Sequence, residues 1–151
     1  MGVITLPAFK ELLITRSQGV EVQDFSGRVL EQLRPSTTEP ALRLDHAFVG
    51  YDLGYNNRVQ YFVQIIAKLV DRVNYLPSYA SGSFAATEVA RGHLSAYIHP
   101  AATTFDIGAA VPIIQALGGQ ATAIDGSSIN WREPYHSVLL TRDHLLHAQL
   151  L

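Results

Sequence analysis

The segment from residue 81 to residue 126 constrains the fold of this chain more than any other part of the sequence. Small residues stand where one backbone must approach another closely, at Gly82-Ser83 and again at Gly108-Ala109-Ala110. The pattern between them predicts alternating elements, which are helix Ser83–Arg91, strand Leu94–His99, helix Asp106–Leu117 and strand Gln120–Ile124. Such alternation is typical of a layered α/β domain.

The residues on either side of this segment extend the alternation from residue 42 to the end of the chain. We predict strand Leu42–Tyr51, helix Asn57–Val73 capped by Asn56 or Asn57, short strand Tyr75–Tyr79, strand Ser137–Leu140 and helix Arg142–Leu151 capped by Thr141. Pro77 would keep its strand near a sheet edge. The predicted fold class is therefore α/β, a mixed sheet flanked by helices.

The first forty residues break this alternation and predict a different, antiparallel sheet. Gly2–Leu6 and Glu11–Thr15 predict a hairpin, and Val20–Val22 predicts a third short strand. Arg34–Pro40 contains two prolines with Ser and Thr between them and predicts a linker. The free edges of such strands favour pairing with another chain, so we predict a homodimer formed through residues 1–30.

Composition excludes several classes of partner. The chain has 151 residues, no cysteine and a net charge of −2, without a basic stripe, which disfavours nucleic acid as a partner. No apolar run approaches the ~20 residues that a membrane helix needs, and the N-terminus lacks the pattern of a secretory signal. We therefore expect no membrane association and a cytoplasmic location, which the absence of cysteine suits.

Asp106 is the leading candidate for chemistry, and two interpretations of it remain open. An aspartate at a helix start can be an N-cap that accepts a backbone N–H. It can also be a ligand of Mg²⁺, a cation that selects carboxylate oxygens. One residue can serve both purposes.

Other candidates also have a structural and a functional interpretation. Gly82, Ser83 and Phe84 can simply start a helix with Ser83 as its cap, or they can present free N–H groups to an anionic substrate. His99 is either a solvated strand-end residue or a substrate contact. Gly118-Gly119 predicts a left-handed helix end, and His144 and His147 predict a solvated helix face. A Ser83–His93–Asp106 triad is rejected, because no Gly-x-Ser-x-Gly elbow is present.

Five motifs together resemble the C-terminal half of the inositol monophosphatase family of Mg²⁺-dependent phosphatases. They are Gly-Ser-x-Ala, Val-Ala-x-Gly, Ala-Tyr, Phe105-Asp106-Ile107-Gly108-Ala109-Ala110 and Leu-Gly-Gly-x-Ala-Thr. The resemblance implies that Asp106 is a metal ligand, since its segment matches the family's Trp-Asp-x-Ala-Ala. It also implies that Gly82, Ser83 and Phe84 lie beside the substrate, a small phosphorylated metabolite, although Phe84 is bulkier than the family's alanine. His99 stands where the family often has a substrate-binding glutamate.

The resemblance further implies that residues 1–34 are remnant strands of an N-terminal domain and residues 42–151 a C-terminal α/β domain. The family's glutamate-bearing loop and its Asp-Pro-x-Asp-Gly-Thr segment, which supply most metal ligands, have no match here. We therefore expect a Mg²⁺-dependent phosphomonoesterase domain that is inactive by itself. The alternatives are a stand-alone half that serves as a ligand-binding or assembly module, or a superficial resemblance.

Overall fold

The structure, a computed structural model, describes residues 1–35, 42–53 and 58–151 of the chain. Its N-terminal part is an antiparallel sheet of four consecutive strands, β1 (Val3–Leu6), β2 (Glu11–Arg16), β3 (Gly19–Asp24) and β4 (Val29–Leu33). The predicted hairpin and third strand are confirmed. The sequence did not predict β4, because only Leu33 of its residues is buried and no apolar alternation marks it.

The second sheet is mixed, as predicted. It contains β5 (Val49–Tyr51), β6 (Ala96–Thr103), β7 (Gln120–Thr122) and β8 (Tyr135–Thr141) in the spatial order β5-β6-β8-β7. Strands β5 and β6 are parallel, and the other two pairs are antiparallel. The carboxyl ends of β5 and β6 therefore meet at one edge of this sheet.

Five helices accompany the sheets in the described residues. They are α1 (Arg58–Val70), α2 (Gly82–Arg91), α3 (Thr104–Ile107), α4 (Ala110–Ala116) and α5 (His144–Leu150). Helices α1 and α5 cover one face of the mixed sheet, and α2 and α4 lie between its other face and the N-terminal sheet. The α/β fold class is thus confirmed.

Period-two alternation along β6 explains this layering. Ala96 and Ile98 are buried with Phe62 of α1 and Leu146 of α5, whereas Tyr97 faces the opposite core. That second core is shared, because it joins buried residues of the N-terminal sheet to buried residues of the helices: Ile4, Leu13, Val20 and Val22 with Ala85, Val89, Ile113 and Ile114. The division of the chain into residues 1–34 and 42–151 stays a prediction.

Several predicted boundaries are wrong. The predicted strand Leu42–Tyr51 contains a 3-10 turn at Leu44–His46, closed by backbone hydrogen bonds, and only its end forms β5. The predicted helix Asp106–Leu117 is broken into α3 and α4. Pro112 has no N–H to donate to the carbonyl of Gly108, so a continuous helix would lose a hydrogen bond there.

Other differences have equally local causes. Tyr75–Tyr79 forms only isolated bridges to Phe48 and Tyr51, since Pro77 cannot donate to a ladder. Thr141 is the last residue of β8, and Asp143 is the N-cap of α5, accepting from the backbone nitrogens of Leu145 (2.7 Å) and Leu146 (2.9 Å).

The predicted cap at Asn56 or Asn57 and most of the predicted linker Arg34–Pro40 lie outside the described residues. Among the helices that the structure describes, none has the length and apolar character needed to span a bilayer.

Candidate active site

Asp106 lies at the third position of α3 and closes a capping box with Thr103. Its Oδ2 accepts hydrogen bonds from the backbone N–H of Thr103 at 2.8 Å and from the Thr103 hydroxyl at 2.7 Å. The prediction that Asp106 is the N-cap is wrong, because the helix begins at Thr104 and Thr103 is the cap. Within the described residues no hydrogen bond reaches Oδ1, so one carboxylate oxygen closes the turn and the other is free to bind a ligand.

The start of α2 is packed directly against Asp106. Ser81, rather than the predicted Ser83, is the N-cap of α2, and it accepts from the N–H of Phe84 at 3.4 Å. The Ser83 hydroxyl donates to the backbone carbonyl of Asp106 at 3.4 Å. A side chain at Gly82 would place its Cβ 3.3 Å from the Asp106 Cβ and 3.4 Å from the Tyr97 hydroxyl. The structure therefore brings Gly82, Ser83 and Asp106 together.

His99 is buried within β6, so the interpretation of it as a solvated strand-end residue is wrong. It is only 8% exposed, and its Nδ1 accepts from the backbone N–H of Ala101 at 3.0 Å. The β6–β8 register shifts between His99 and Ala102, where Pro100 stands. Burial lowers the pKa of His99 below its usual value, although the charges of Asp52 and Asp106 act in the opposite direction.

Asp52 is a buried acid beside this group that the sequence analysis missed. Its Oδ2 accepts from the Tyr97 hydroxyl at 2.7 Å, and its Oδ1 accepts from the N–H of Ala80 at 2.8 Å and the hydroxyl of Ser78 at 3.2 Å. Burial raises the pKa of Tyr97, and the hydrogen bond and charge of Asp52 raise it further. Three protein donors thus satisfy this carboxylate, which holds the loop that leads into α2.

The position of Asp52 in the sequence could have identified it as a candidate site residue. It directly follows β5, and Asp106 follows the parallel neighbour β6, so the two acids come after strands whose carboxyl ends meet. Polar groups at this edge of an α/β sheet often form a ligand site.

The described residues fit Mg²⁺ at one position only. Asp106 offers a free carboxylate oxygen, the ligand type that Mg²⁺ prefers. Within residues 1–35, 42–53 and 58–151, however, no three His, Asp or Glu side chains are grouped so that they could hold an ion. The described residues therefore do not complete a Mg²⁺ site, and Asp106 offers one suitable ligand oxygen.

His147 differs from the predicted solvated pair. It is 2% exposed, and its Nε2 and Nδ1 each lie 2.9 Å from a threonine hydroxyl, those of Thr122 and Thr141. His144 is exposed as expected, with its Nε2 2.7 Å from the carbonyl oxygen of Gly118. Gly118 has a φ of 75°, which confirms the left-handed helix end.

We expect the free energy of unfolding to decrease as the pH becomes acidic, because of His147. Burial, and to a lesser extent the charge of His144, lowers the pKa of His147 below its usual value. In the unfolded chain, histidine binds a proton as the pH falls through ~6.5. The buried imidazole of folded His147 resists protonation at that pH. The stabilisation is therefore complete above that pH and is lost as the pH falls below it. In His147→Gln, the free energy of unfolding measured by urea titration should depend less steeply on pH between about 7 and 5.

The matched control for this experiment is His144→Gln, which removes an exposed imidazole from the same helix. It should change the pH dependence only slightly. An equal slope in His147→Gln and the unmodified chain would show that His147 is not the group that takes up the proton.

The sequence matches the model of the inositol monophosphatase family over residues 1–151. The chain therefore belongs to the inositol monophosphatase family. No individually curated protein matches the sequence significantly.

Solved structures with the same fold are distant in sequence. Staphylococcal IMPase-II is 20% identical with a TM-score of 0.78, over 99% of this chain and 54% of that chain. The extragenic suppressor protein SuhB from Bartonella henselae is 16% identical with a TM-score of 0.79, over 98% of this chain and 53% of its own. An IMPase/NADP phosphatase crystallised with Mg²⁺ and phosphate is 20% identical with a TM-score of 0.69, over 95% and 50%. The chain thus spans about half the length of these relatives.

Proposed function

We propose that this chain supplies the C-terminal part of a Mg²⁺-dependent phosphomonoesterase that acts on a small phosphorylated metabolite. The observation that carries this proposal is the carboxylate of Asp106, which closes its own helix turn with Oδ2 and whose Oδ1, beside the start of α2, bonds to none of the described residues. Family membership supports the reaction class. The relative crystallised with Mg²⁺ and phosphate supports the choice of metal.

Each candidate residue has a role in this proposal. Asp106 would hold Mg²⁺, which supplies charge neutralisation for the phosphate and the leaving oxygen. Gly82 and Ser83 would bring backbone N–H groups at the start of α2 to the substrate. Phe84 and His99 would contact its organic part. Asp52 and Tyr97 would act as positioning residues, since they fix the loop before α2.

The chain alone should give no turnover. One carboxylate cannot hold a divalent cation tightly, because Mg²⁺ sites need several oxygen ligands in near-octahedral order. We expect no phosphate release from inositol, sugar or 3′-nucleotide monoesters in a malachite green assay with Mg²⁺. We also expect no measurable rise in melting temperature with Mg²⁺, because ligand stabilisation grows only as RT ln(1 + [L]/Kd).

Turnover above the buffer blank would refute the proposed inactivity. It would mean that the described residues, or residues 36–41 and 54–57, complete the metal site.

The second candidate function is a non-catalytic ligand-binding or assembly module derived from this fold. Phe105, next to Asp106, is 96% exposed, and an uncovered aromatic ring suits a surface that meets a partner. A phosphatase assay on a longer polypeptide that contains this chain distinguishes the two proposed functions. Mg²⁺-dependent phosphate release by that polypeptide favours the phosphatase, and its absence favours the module.

We also propose a cytoplasmic homodimer. Strand β1 is a terminal strand of its sheet, and Val3 on it is 44% exposed, so an unpaired strand edge is available to a second copy. In sedimentation equilibrium, the apparent mass should rise with protein concentration towards twice the mass of the monomer. Thr5→Pro should weaken the association, because proline has no N–H to donate to a strand added at this edge. A monomer at every concentration would refute the dimer.

A further inference from the structure

The residue two positions before α2 has an unfavourable backbone conformation. Ala80 has a φ of 52°, in the left-handed region, and among the described residues other than glycine only Lys10 also has a positive φ. Alanine disfavours this region because its Cβ comes too close to the following carbonyl oxygen. Ala80 is exposed, so tight packing of its methyl group does not account for the conformation. A strained residue of this kind persists only where its surroundings hold it.

The buried carboxylate of Asp52 binds the backbone at Ala80. Its Oδ1 accepts from the N–H of Ala80 at 2.8 Å and from the hydroxyl of Ser78 at 3.2 Å. Asp52 is itself fixed to the mixed sheet, because its own N–H donates to the carbonyl of Ile98 at 3.2 Å. Its Oδ2 accepts from the buried Tyr97 hydroxyl. The sheet therefore holds the acceptor to which Ala80 is bound.

The conformation of Ala80 determines where the first turn of α2 begins. Ala80 precedes Ser81, which is the N-cap of α2. In the first turn, a Cβ at Gly82 would lie 3.3 Å from the Cβ of Asp106, and the hydroxyl of Ser83 donates to the carbonyl of Asp106 at 3.4 Å. Since φ and ψ are the only soft backbone dihedrals, a change of φ at Ala80 would move this turn away from Asp106.

We propose that Asp52 forces Ala80 into the left-handed conformation and that this strained residue positions the first turn of α2 against Asp106. The importance of this position for catalysis rests on the proposed function. Without the carboxylate, alanine would return to a right-handed or extended conformation, whereas glycine populates the left-handed region about as readily as the right-handed one. Ala80→Gly should therefore preserve the turn even when the carboxylate is absent.

Hydrogen exchange of this chain, followed residue by residue with NMR, tests the inference. The amides of Phe84 and Ala85 report on the first turn, since they donate to the hydroxyl and the carbonyl of Ser81 at 3.4 Å and 2.9 Å. We expect Asp52→Ala to speed their exchange about tenfold, which is roughly the preference of alanine against the left-handed region. Asp52→Ala/Ala80→Gly should restore most of the protection. Asp52→Asn should retain it, because asparagine keeps an acceptor oxygen.

The matched control is Asp52→Ala/Lys10→Gly, since Lys10 has a φ of 56° but is not a partner of the Asp52 carboxylate. It should not restore protection. A second series leaves Asp52 unchanged and also decides the question if Asp52→Ala does not fold. Exchange should be slowest in Ala80→Gly, intermediate in the unmodified chain and fastest in Ala80→Val, because a β-branched residue fits the left-handed region worst.

Two results of the exchange experiment would overturn the inference. Equal rates in Asp52→Ala and Asp52→Ala/Ala80→Gly would mean that Asp52 acts only through its bonds to Tyr97 and Ser78. Equal rates in Ala80→Gly, the unmodified chain and Ala80→Val would mean that the conformation of Ala80 does not matter for the first turn of α2.

Turnover in a longer polypeptide that contains this chain separates the inference from the proposed function. There, Asp52→Ala should lower kcat at least about tenfold, because the first turn of α2 is misplaced, and Ala80→Gly in the same background should restore it. An unchanged kcat in Asp52→Ala would overturn the inference. If the exchange rates behave as expected and the unmodified longer polypeptide gives no turnover, the positioning of α2 is supported and the phosphatase proposal fails.

Discussion

Asp106→Asn should abolish turnover in a polypeptide that carries both this chain and the other half of the fold, as its longer relatives do. Asparagine keeps an oxygen that can accept from the Thr103 N–H, so the capping box and the fold should persist. It loses the anionic oxygen that Mg²⁺ requires. Changing a residue that merely supports a metal ligand costs 10–100-fold, so loss of the ligand itself should exceed about 100-fold. Initial rates at saturating Mg²⁺ measure this effect.

The matched control is Asp125→Asn, the same chemical change at an exposed turn, where the carboxylate accepts from the N–H and the hydroxyl of Ser127. Its rate should equal that of the unmodified protein. Asp106→Ala should in addition destabilise this chain by about 1 kcal/mol, because the capping oxygen is removed. If Asp106→Asn retains full turnover, Asp106 is a structural residue only and the proposed metal site is wrong.

The largest effect on stability is expected for Tyr97→Phe. Tyr97 is fully buried, and its hydroxyl donates to Asp52 at 2.7 Å, so phenylalanine keeps the packing and leaves a buried carboxylate oxygen without its donor. An unsatisfied buried charged group costs about 2 kcal/mol. The melting temperature should therefore fall by about 4–8 °C, as followed by circular dichroism.

Tyr75→Phe provides the control, because Tyr75 is 60% exposed, and its effect should stay within about 0.5 kcal/mol. In the background of Asp52→Asn, which removes the buried charge, Tyr97→Phe should cost less than in the unmodified chain. Equal costs in both backgrounds would show that the two side chains do not interact energetically.

The helices and strands that were predicted correctly are those whose apolar residues recur at the regular spacing of a buried face. Helix α2, both β-hairpin strands at the N-terminus and the mixed sheet were all found because apolar spacing and glycine positions mark them. It failed for β4, whose side chains are mostly exposed, and for the break between α3 and α4, where the local pattern stays apolar.

For the candidate site, the sequence singled out candidate residues but not the side chains they contact. Asp106 does lie near a helix start, but as the third helical residue and not the N-cap, because its carboxylate bonds back to Thr103 in a way that only the three-dimensional turn defines. Asp52 and Tyr97 are 45 residues apart and meet because β5 and β6 are parallel neighbours. No local pattern in a single sequence predicts the contact between these two side chains.

The shared core determines where a fold of this kind could be divided between two polypeptides. The strands of residues 1–35 bury their apolar side chains against α2 and α4, so a cut after β4 would expose Val20, Val22 and Ile113 together. A cut before β1 instead leaves that core closed and opens only the backbone edge of one strand. A division before β1 therefore keeps the buried side chains of the shared core within one polypeptide.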